Sequence, residues 1–385
     1  MKKLSILTTP AIALGVGVLC APQALAASYT LSQTNINAAA GAAGTNTNGI
    51  FCDDVQKDFC TLDAGDWTQE GDIDLTTVEI DAGIPINGLV LQNNVNISNP
   101  DNRSIKGNIN VSDADVNLTN LNITGNVGVD GATKTTLTDL TINGNLQVSN
   151  ANAEVTITGG TYTGEGWGSP LDIGNAKSVT IDNATFAAGG ASAAYINGGD
   201  ITINSGSFTS TGDNGIELFG ANSLKISGGT FTGAAAGIAF GYSPAAGTVS
   251  LTGGTFTGTG TNGKAIYNYT NSDSTLISGL VTNGYHFTNS TVTSESGMGG
   301  GAYIAGTTKV LADGQSESEE STTQPTDPTS TSTTTKKSGI GAPDTGAFTA
   351  EEGSATSSSS ILTVMATVLV ALTGAILVKK HSKRA

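Results

Sequence analysis

The sequence predicts an all-β protein: a right-handed single-stranded parallel β-helix with a disordered C-terminal stalk and one transmembrane helix. Three observations predict it. First, VTITGGTYTG, VTIDNATFAA, ITINSGSFTS, LKISGGTFTG and VSLTGGTFTG share one pattern, whose aromatics Tyr162, Phe186, Phe208, Phe231 and Phe256 are spaced 24, 22, 23 and 25 residues apart. Constant internal spacing with loose external spacing means one structural unit per copy and variable loops between copies. Second, apolar residues alternate with Thr, Ser, Asn or Lys, as at Val155 and Ile157 or Leu224 and Ile226, a period of two that means strand. Third, each aromatic strand is followed about ten residues on by another short apolar run: SPLDI, AAYIN, GIELF, GIAFG and KAIYN. Three short strands per unit make one coil, stacked on the next about 4.8 Å away.

The elements follow in order. In residues 1–26 two lysines precede an apolar run from Leu4 to Leu19, and Ala24, Leu25 and Ala26 form a small-x-small cleavage site, the pattern of a secretory signal peptide. Export places Cys52 and Cys60 of FCDDVQKDFC in an oxidising compartment, so a local disulfide is expected. The block 27–82 that holds them is expected to cap one end of the rod, because an open coil exposes unpaired strand edges. The β-helix is expected over 83–314, about ten coils and roughly 50 Å long. Within it LTNLNITGNVGV (118–129) and LTDLTINGNLQV (137–148) match at an offset of 19, a tighter period, and the register changes between Val148 and Val155. The recurrent glycine pair reads as the corner of a coil. It runs from strand to strand with no helix behind it, and Asn183–Ala184 or Ser205–Gly206 replace it in other copies, so it is no phosphate loop.

Residues 315–345 are rich in Ser, Thr and Pro and read as a disordered stalk. Residues 346–385 read as a sorting tail, with an apolar run at 361–378 long enough to span a membrane and a basic KKHSKR end that stays inside.

Charge and composition exclude several functions. Of 32 acidic and 16 basic side chains, 30 and 10 fall in residues 27–345, because the signal takes two lysines and the tail four basic residues and two glutamates, a net charge of 10 minus 30, or minus 20. Such a surface repels nucleic acid. Arg103 and His286 are the only arginine and histidine of that segment, so chemistry needing a His base or an Arg clamp has little to work with.

With these residues in view, the chain resembles the pectin-lyase-like right-handed β-helix superfamily, and especially bacterial surface proteins that carry GGTFTG-type repeats on a sorting signal. Pro343, Asp344, Thr345 and Gly346 in IGAPDTG resemble the LPxTG signal, with Ala342 in place of the usual leucine. That resemblance implies cleavage between Thr345 and Gly346 by a sortase and attachment to peptidoglycan. The superfamily includes lyases, hydrolases, esterases and non-catalytic adhesive rods, so it implies fold and not activity. The central arginine of its lyases and the NTD, DD, HG and RIK blocks of its polygalacturonases are absent from this sequence.

Three sets of residues are candidates for function. Outward third-strand positions stack Asp172, Tyr195, Glu217, Ala239 and Tyr267 into a column, with Asp172 and Glu217 about 9 to 10 Å apart, at the upper edge of the separation in inverting glycosidases. On this reading Tyr195 is a sugar platform between the two carboxylates; the competing reading is a solvated strand face. DIDLTTVEID (Asp72, Asp74, Glu79, Asp81) and SDADV (Asp113, Asp115) cluster hard oxygens that could hold Ca2+, yet neither stretch matches an EF-hand or the GGxGxD nonapeptide, and a charged solvated turn is the favoured reading of both. Trp167, Tyr267 and Tyr269 lie in loops, where aromatics serve glycan- or protein-binding surfaces, whereas Trp67 suits packing over the rod end. The expected function is a non-catalytic, cell-wall-anchored adhesin or contact module that binds a glycan or protein on a neighbouring cell, without a cofactor. The alternatives are a polysaccharide-degrading enzyme using Asp172 and Glu217, and a structural surface coat.

Overall fold

The structure, a computed structural model, describes residues 27–317 except 56–57, 82–83, 113–114, 132–133, 165, 243, 246 and 296–300. The chain winds into a parallel β-solenoid of the right-handed type. Each coil has three strands, and equivalent strands of successive coils stack in register. Nine coils follow one another, at 65–91, 95–111, 116–129, 134–148, 154–173, 178–196, 200–218, 223–240 and 249–268. About seven of these turns lie between parallel neighbours on both sides. At about 4.8 Å per coil the stack is roughly 40 Å long.

The boundaries differ from the sequence expectation at both ends. The first coil begins at Gly65 and not at residue 83: Trp67 and Ile73 point inward and pair with Ile97 and Ile105 of the second coil. Asp66, Asp72 and Asp74 interleave with them, and this acidity hid the strand period. The cap proper lies upstream of Gly65. There Ser28–Leu31 adds parallel to the first coil, the helix Gln33–Gly41 buries Ile36, Ala39 and Ala40, and the antiparallel hairpin Ile50–Cys52 and Phe59–Leu62 is tied by the Cys52–Cys60 disulfide. At the other end no tenth coil follows among the described residues. Ala302–Ala305 and Thr307–Ala312 run antiparallel to the last coil, so that Ile304 faces Ile266 and Thr308 faces Phe256. Reversing strand direction ends the stack and covers its open edge.

The core changes character along the rod. In the second-strand sheet Ile73, Ile105, Ile123 and Ile142 are successive partners, followed by Tyr162, Phe186, Phe208, Phe231 and Phe256. The five rings are fully buried and stack at centroid distances of 4.7, 4.9, 5.2 and 4.9 Å. Offset stacking of this kind adds about 0.5 to 1.5 kcal/mol per pair beyond burial. From the third coil on, the corner before each of these residues compensates for its size. Its second residue is Leu121 and Leu140 before Ile123 and Ile142, and Gly160, Ala184, Gly206, Gly229 and Gly254 where the inward residue is aromatic; in the first two coils Gly71 and Arg103 precede Ile73 and Ile105. Leu121 and Leu140 are themselves buried. A Cβ on Gly254 would lie 3.1 Å from Cε2 of Phe231, and one on Gly229 would lie 2.8 Å from the Gly206 carbonyl oxygen at a φ of +101°. The second glycine of GGTFTG therefore makes room for the ring and for the preceding coil.

The register change near Val148 resolves into two long strands. Leu146–Thr158 joins the third strand of one coil to the first strand of the next without a corner, and Leu171–Asp182 repeats this one coil on, paired to it with irregularities after Val148 and after Asn150. The tighter early coils carry an asparagine stack instead: the Asn108 and Asn126 side-chain carbonyls accept the backbone N–H of Asn126 and Asn145, each at 2.9 Å.

Candidate functional site

In the third-strand sheet each strand is hydrogen-bonded in parallel register to its neighbours, so its outward positions form columns. Gln147, Asp172, Tyr195, Glu217, Ala239 and Tyr267 are successive register partners. Two residues further along each strand a second column carries Asn197, Phe219, Gly241 and Tyr269, since strand side chains alternate in direction. Asp172 and Glu217 are two coils apart, about 10 Å.

Glu217 is the centre of a polar network. Its Oε1 accepts from the Tyr269 hydroxyl at 3.2 Å and its Oε2 from the Ser192 hydroxyl at 3.1 Å, while Ser192 Oγ also lies 2.9 Å from Asp213 Oδ2. Asn214 Nδ2 donates to Asp213 Oδ1 at 2.9 Å. Ser192 has a single hydroxyl proton and two carboxylates to serve. Partial burial and then the nearby Asp213 charge push the Glu217 carboxyl above its usual range, against the opposing hydrogen bonds from Ser192 and Tyr269. Burial alone raises Asp172. The Tyr269 phenol is raised by burial and then by the Glu217 charge. Among the described residues no basic side chain pairs with Asp172, Asp213 or Glu217.

Aromatic rings surround this network. Tyr195 and Phe219 meet at 5.3 Å, Phe219 and Tyr269 meet edge-on at 6.3 Å and 66°, and Tyr267 and Tyr269 meet at 5.7 Å. Phe219 is 40% exposed, an unusual place for a phenylalanine. The intervening coil permits the arrangement by being small: Ala239 is buried beneath its neighbours, and a Cβ on Gly241 would lie 2.4 Å from the Tyr269 hydroxyl. Tyr269 leans back across that gap to reach Glu217. At the C-terminal end of the face the Lys264 ammonium lies 4.6 Å from the Tyr267 ring centroid and 5.2 Å from that of Tyr303, whose hydroxyl donates to Glu295 at 2.8 Å.

No protein-family profile, curated protein or solved structure matches this chain.

The remaining candidates fall elsewhere. Trp167 is 86% exposed on the loop before the Asp172 strand, its ring edge against Gly190 of the next coil. Trp67 is buried, stacked on Tyr29 at 4.5 Å, with Nε1 donating to the Asp63 carbonyl at 3.0 Å. Asp72 accepts from the backbone N–H and hydroxyl of Ser104, which hold its carboxyl below the usual range; Asp74 caps a short 3-10 turn through Thr76 and pairs with Lys106 at 3.1 Å. Asp115 accepts from the Lys134 backbone at 3.1 Å. These carboxylates are engaged in joining coils, and among the described residues no group of three or more His, Cys, Asp or Glu side chains could hold a metal ion. His286 lies 3.2 Å from Asp313 on the terminal cap. Asp113, the PDTG motif at 343–346 and the apolar run 361–378 lie outside the described residues, and no helix among the described ones is long and apolar enough to cross a membrane.

Sequence reasoning missed Phe219, Ser192, Asp213, Lys264 and Tyr303. Phe219 was within reach, since it stands two residues after Glu217 and so on the same face. Ser192 and Asp213 come from the loops between second and third strands, outside the regular alternation, and Tyr303 arrives on the antiparallel cap strand.

Proposed function

We propose that this protein is a non-catalytic binding rod, a cell-surface adhesin or contact module whose third-strand face takes a glycan. The observation that carries the reading is the cluster of partly exposed rings, Tyr195, Phe219, Tyr267 and Tyr269, on a parallel sheet beside half-buried carboxylates. Pyranose rings stack on aromatic faces and offer hydroxyls to carboxylates, and a hydrogen-bonded sheet presents both with little ordering cost. The same reading has the chain exported through residues 1–26, cut by a sortase after Thr345 and joined to peptidoglycan, with the helix at 361–378 holding it in the membrane beforehand. The test is retention of the purified full chain on a broad panel of immobilised polysaccharides. Retention without release of reducing ends supports the reading; no retention on any member of the panel refutes it.

One observation favours a second reading. Asp172 and Glu217 lie two coils apart with Tyr195 between them, and the raised Glu217 carboxyl suits a general acid opposite an Asp172 base in an inverting hydrolase. Reducing-end release by wild type that is lost in Glu217→Gln would replace the binding reading with this one.

A further inference from the structure

The C-terminal end of the third-strand face shows how its chemistry handles an ammonium group. Lys264 places its ammonium over Tyr267 and Tyr303 and donates to the Asn262 carbonyl at 3.2 Å, so two rings hold one cation supplied by the chain itself, with Glu295 bonded to the hydroxyl of one of them. Two coils away the same components recur without the cation. Tyr195, Phe219 and Tyr269 stand at different inclinations beside Glu217, with Asp213 behind it. No basic side chain pairs with either carboxylate among the described residues. A sugar carboxylate would be repelled from this spot, and a neutral sugar would bring no opposite charge to the half-buried carboxylate.

We propose that the ligand of this face is a glycan bearing free amino groups, one ammonium of which sits on the Tyr195 and Phe219 rings against the Glu217 carboxylate; this rests on the glycan-binding reading above. Cation–π attraction and a charge-assisted hydrogen bond act together at one point, while neighbouring sugar rings stack along Tyr267 and Tyr269.

The test is calorimetric titration of the purified full chain with a β-1,4-linked glucosamine hexamer, its fully N-acetylated counterpart and hexalysine. The amine hexamer is expected to bind at least about tenfold tighter than the acetylated one, the range a charge-assisted hydrogen bond supplies. Glu217→Gln should reduce that preference to about threefold or less by weakening the amine hexamer more than the acetylated one, and Phe219→Ser should weaken both. Equal binding of the two hexamers, or a preference for the acetylated one, overturns this inference and leaves the glycan-binding reading standing. Binding of neither hexamer overturns it as well, and retention on the polysaccharide panel then decides the broader reading separately. Hexalysine binding as tightly as the amine hexamer overturns it in favour of charge-only capture.

Discussion

The exchange of corner leucine for core aromatic can be tested within a single coil. In the sixth coil the corner reads Asn183–Ala184 before Phe186, and in the third it reads Asn120–Leu121 before Ile123; Asn120 and Asn183 share a left-handed backbone, with φ of 56° and 53°. Ala184→Leu with Phe186→Ile therefore rebuilds the third coil's corner inside the sixth without a change of backbone. Phe186→Ile alone removes two stacked contacts, at 4.7 and 4.9 Å, and leaves a void beside Ala184. The cost should be about 2 to 4 kcal/mol, the sum of two lost pairs and a cavity term. Ala184→Leu alone pushes a branched side chain against the ring and should cost about 1 to 3 kcal/mol. In the double variant the leucine fills the void, so the cost should fall below the sum of the singles by about 1 to 3 kcal/mol. Urea unfolding of the four proteins, followed by far-UV circular dichroism, measures this coupling. Additivity within about 0.5 kcal/mol would refute the volume argument.

Three further outcomes follow from the geometry. The Tyr162 hydroxyl is buried with no hydrogen-bond partner among the described residues at the start of the aromatic stack, so Tyr162→Phe should raise stability by about 1 kcal/mol or more in the same urea experiment, and a loss would show that the hydroxyl is satisfied. The raised Glu217 carboxyl means that the folded state binds a proton more tightly than the unfolded state, so stability from the protonated form is full below the ordinary value of 4.5 and is lost as pH rises through the folded value. Glu217→Gln should accordingly melt higher than wild type at pH 7, with the gap closing at pH 4. Finally, replacing Cys52 and Cys60 by serine opens the hairpin of the N-terminal cap and should cost roughly 2 to 3 kcal/mol, read as an earlier urea midpoint.

Much of the fold was legible because a solenoid repeats its instructions. Period-two alternation fixed the strands, and the aromatic spacing fixed the coil, so the register of Asp172, Tyr195, Glu217 and Ala239 was legible in the sequence, and Tyr267 less so. The ends were harder, because a cap is the place where the repeat stops. Trp67 and Ile73 keep the inward period, but aspartates between them resemble a charged turn. Thr308 and Ile304 carry ordinary strand residues, and nothing local tells that their strands run backwards. The site was half visible for a related reason. Glu217 and Tyr195 lie on the regular strands, whereas Ser192 and Asp213 lie in the loops between second and third strands, outside the regular alternation. Tyr269 reaches Glu217 only because Gly241 leaves the gap open, a contact that spans 52 residues. The glycine pair of GGTFTG shows the reverse case: a motif that looks like a ligand grip is explained by the volume of Phe231 and Phe256.

The central claim is that the ring-and-carboxylate face of the third-strand sheet binds glycan. Its most direct test is a glycan array probed with the full chain and with Phe219→Ser, a change at a 40% exposed position outside the core. The account predicts bound glycans for the wild type and loss of most of that signal in the variant at an unchanged melting temperature. Equal signals from the two proteins would contradict it.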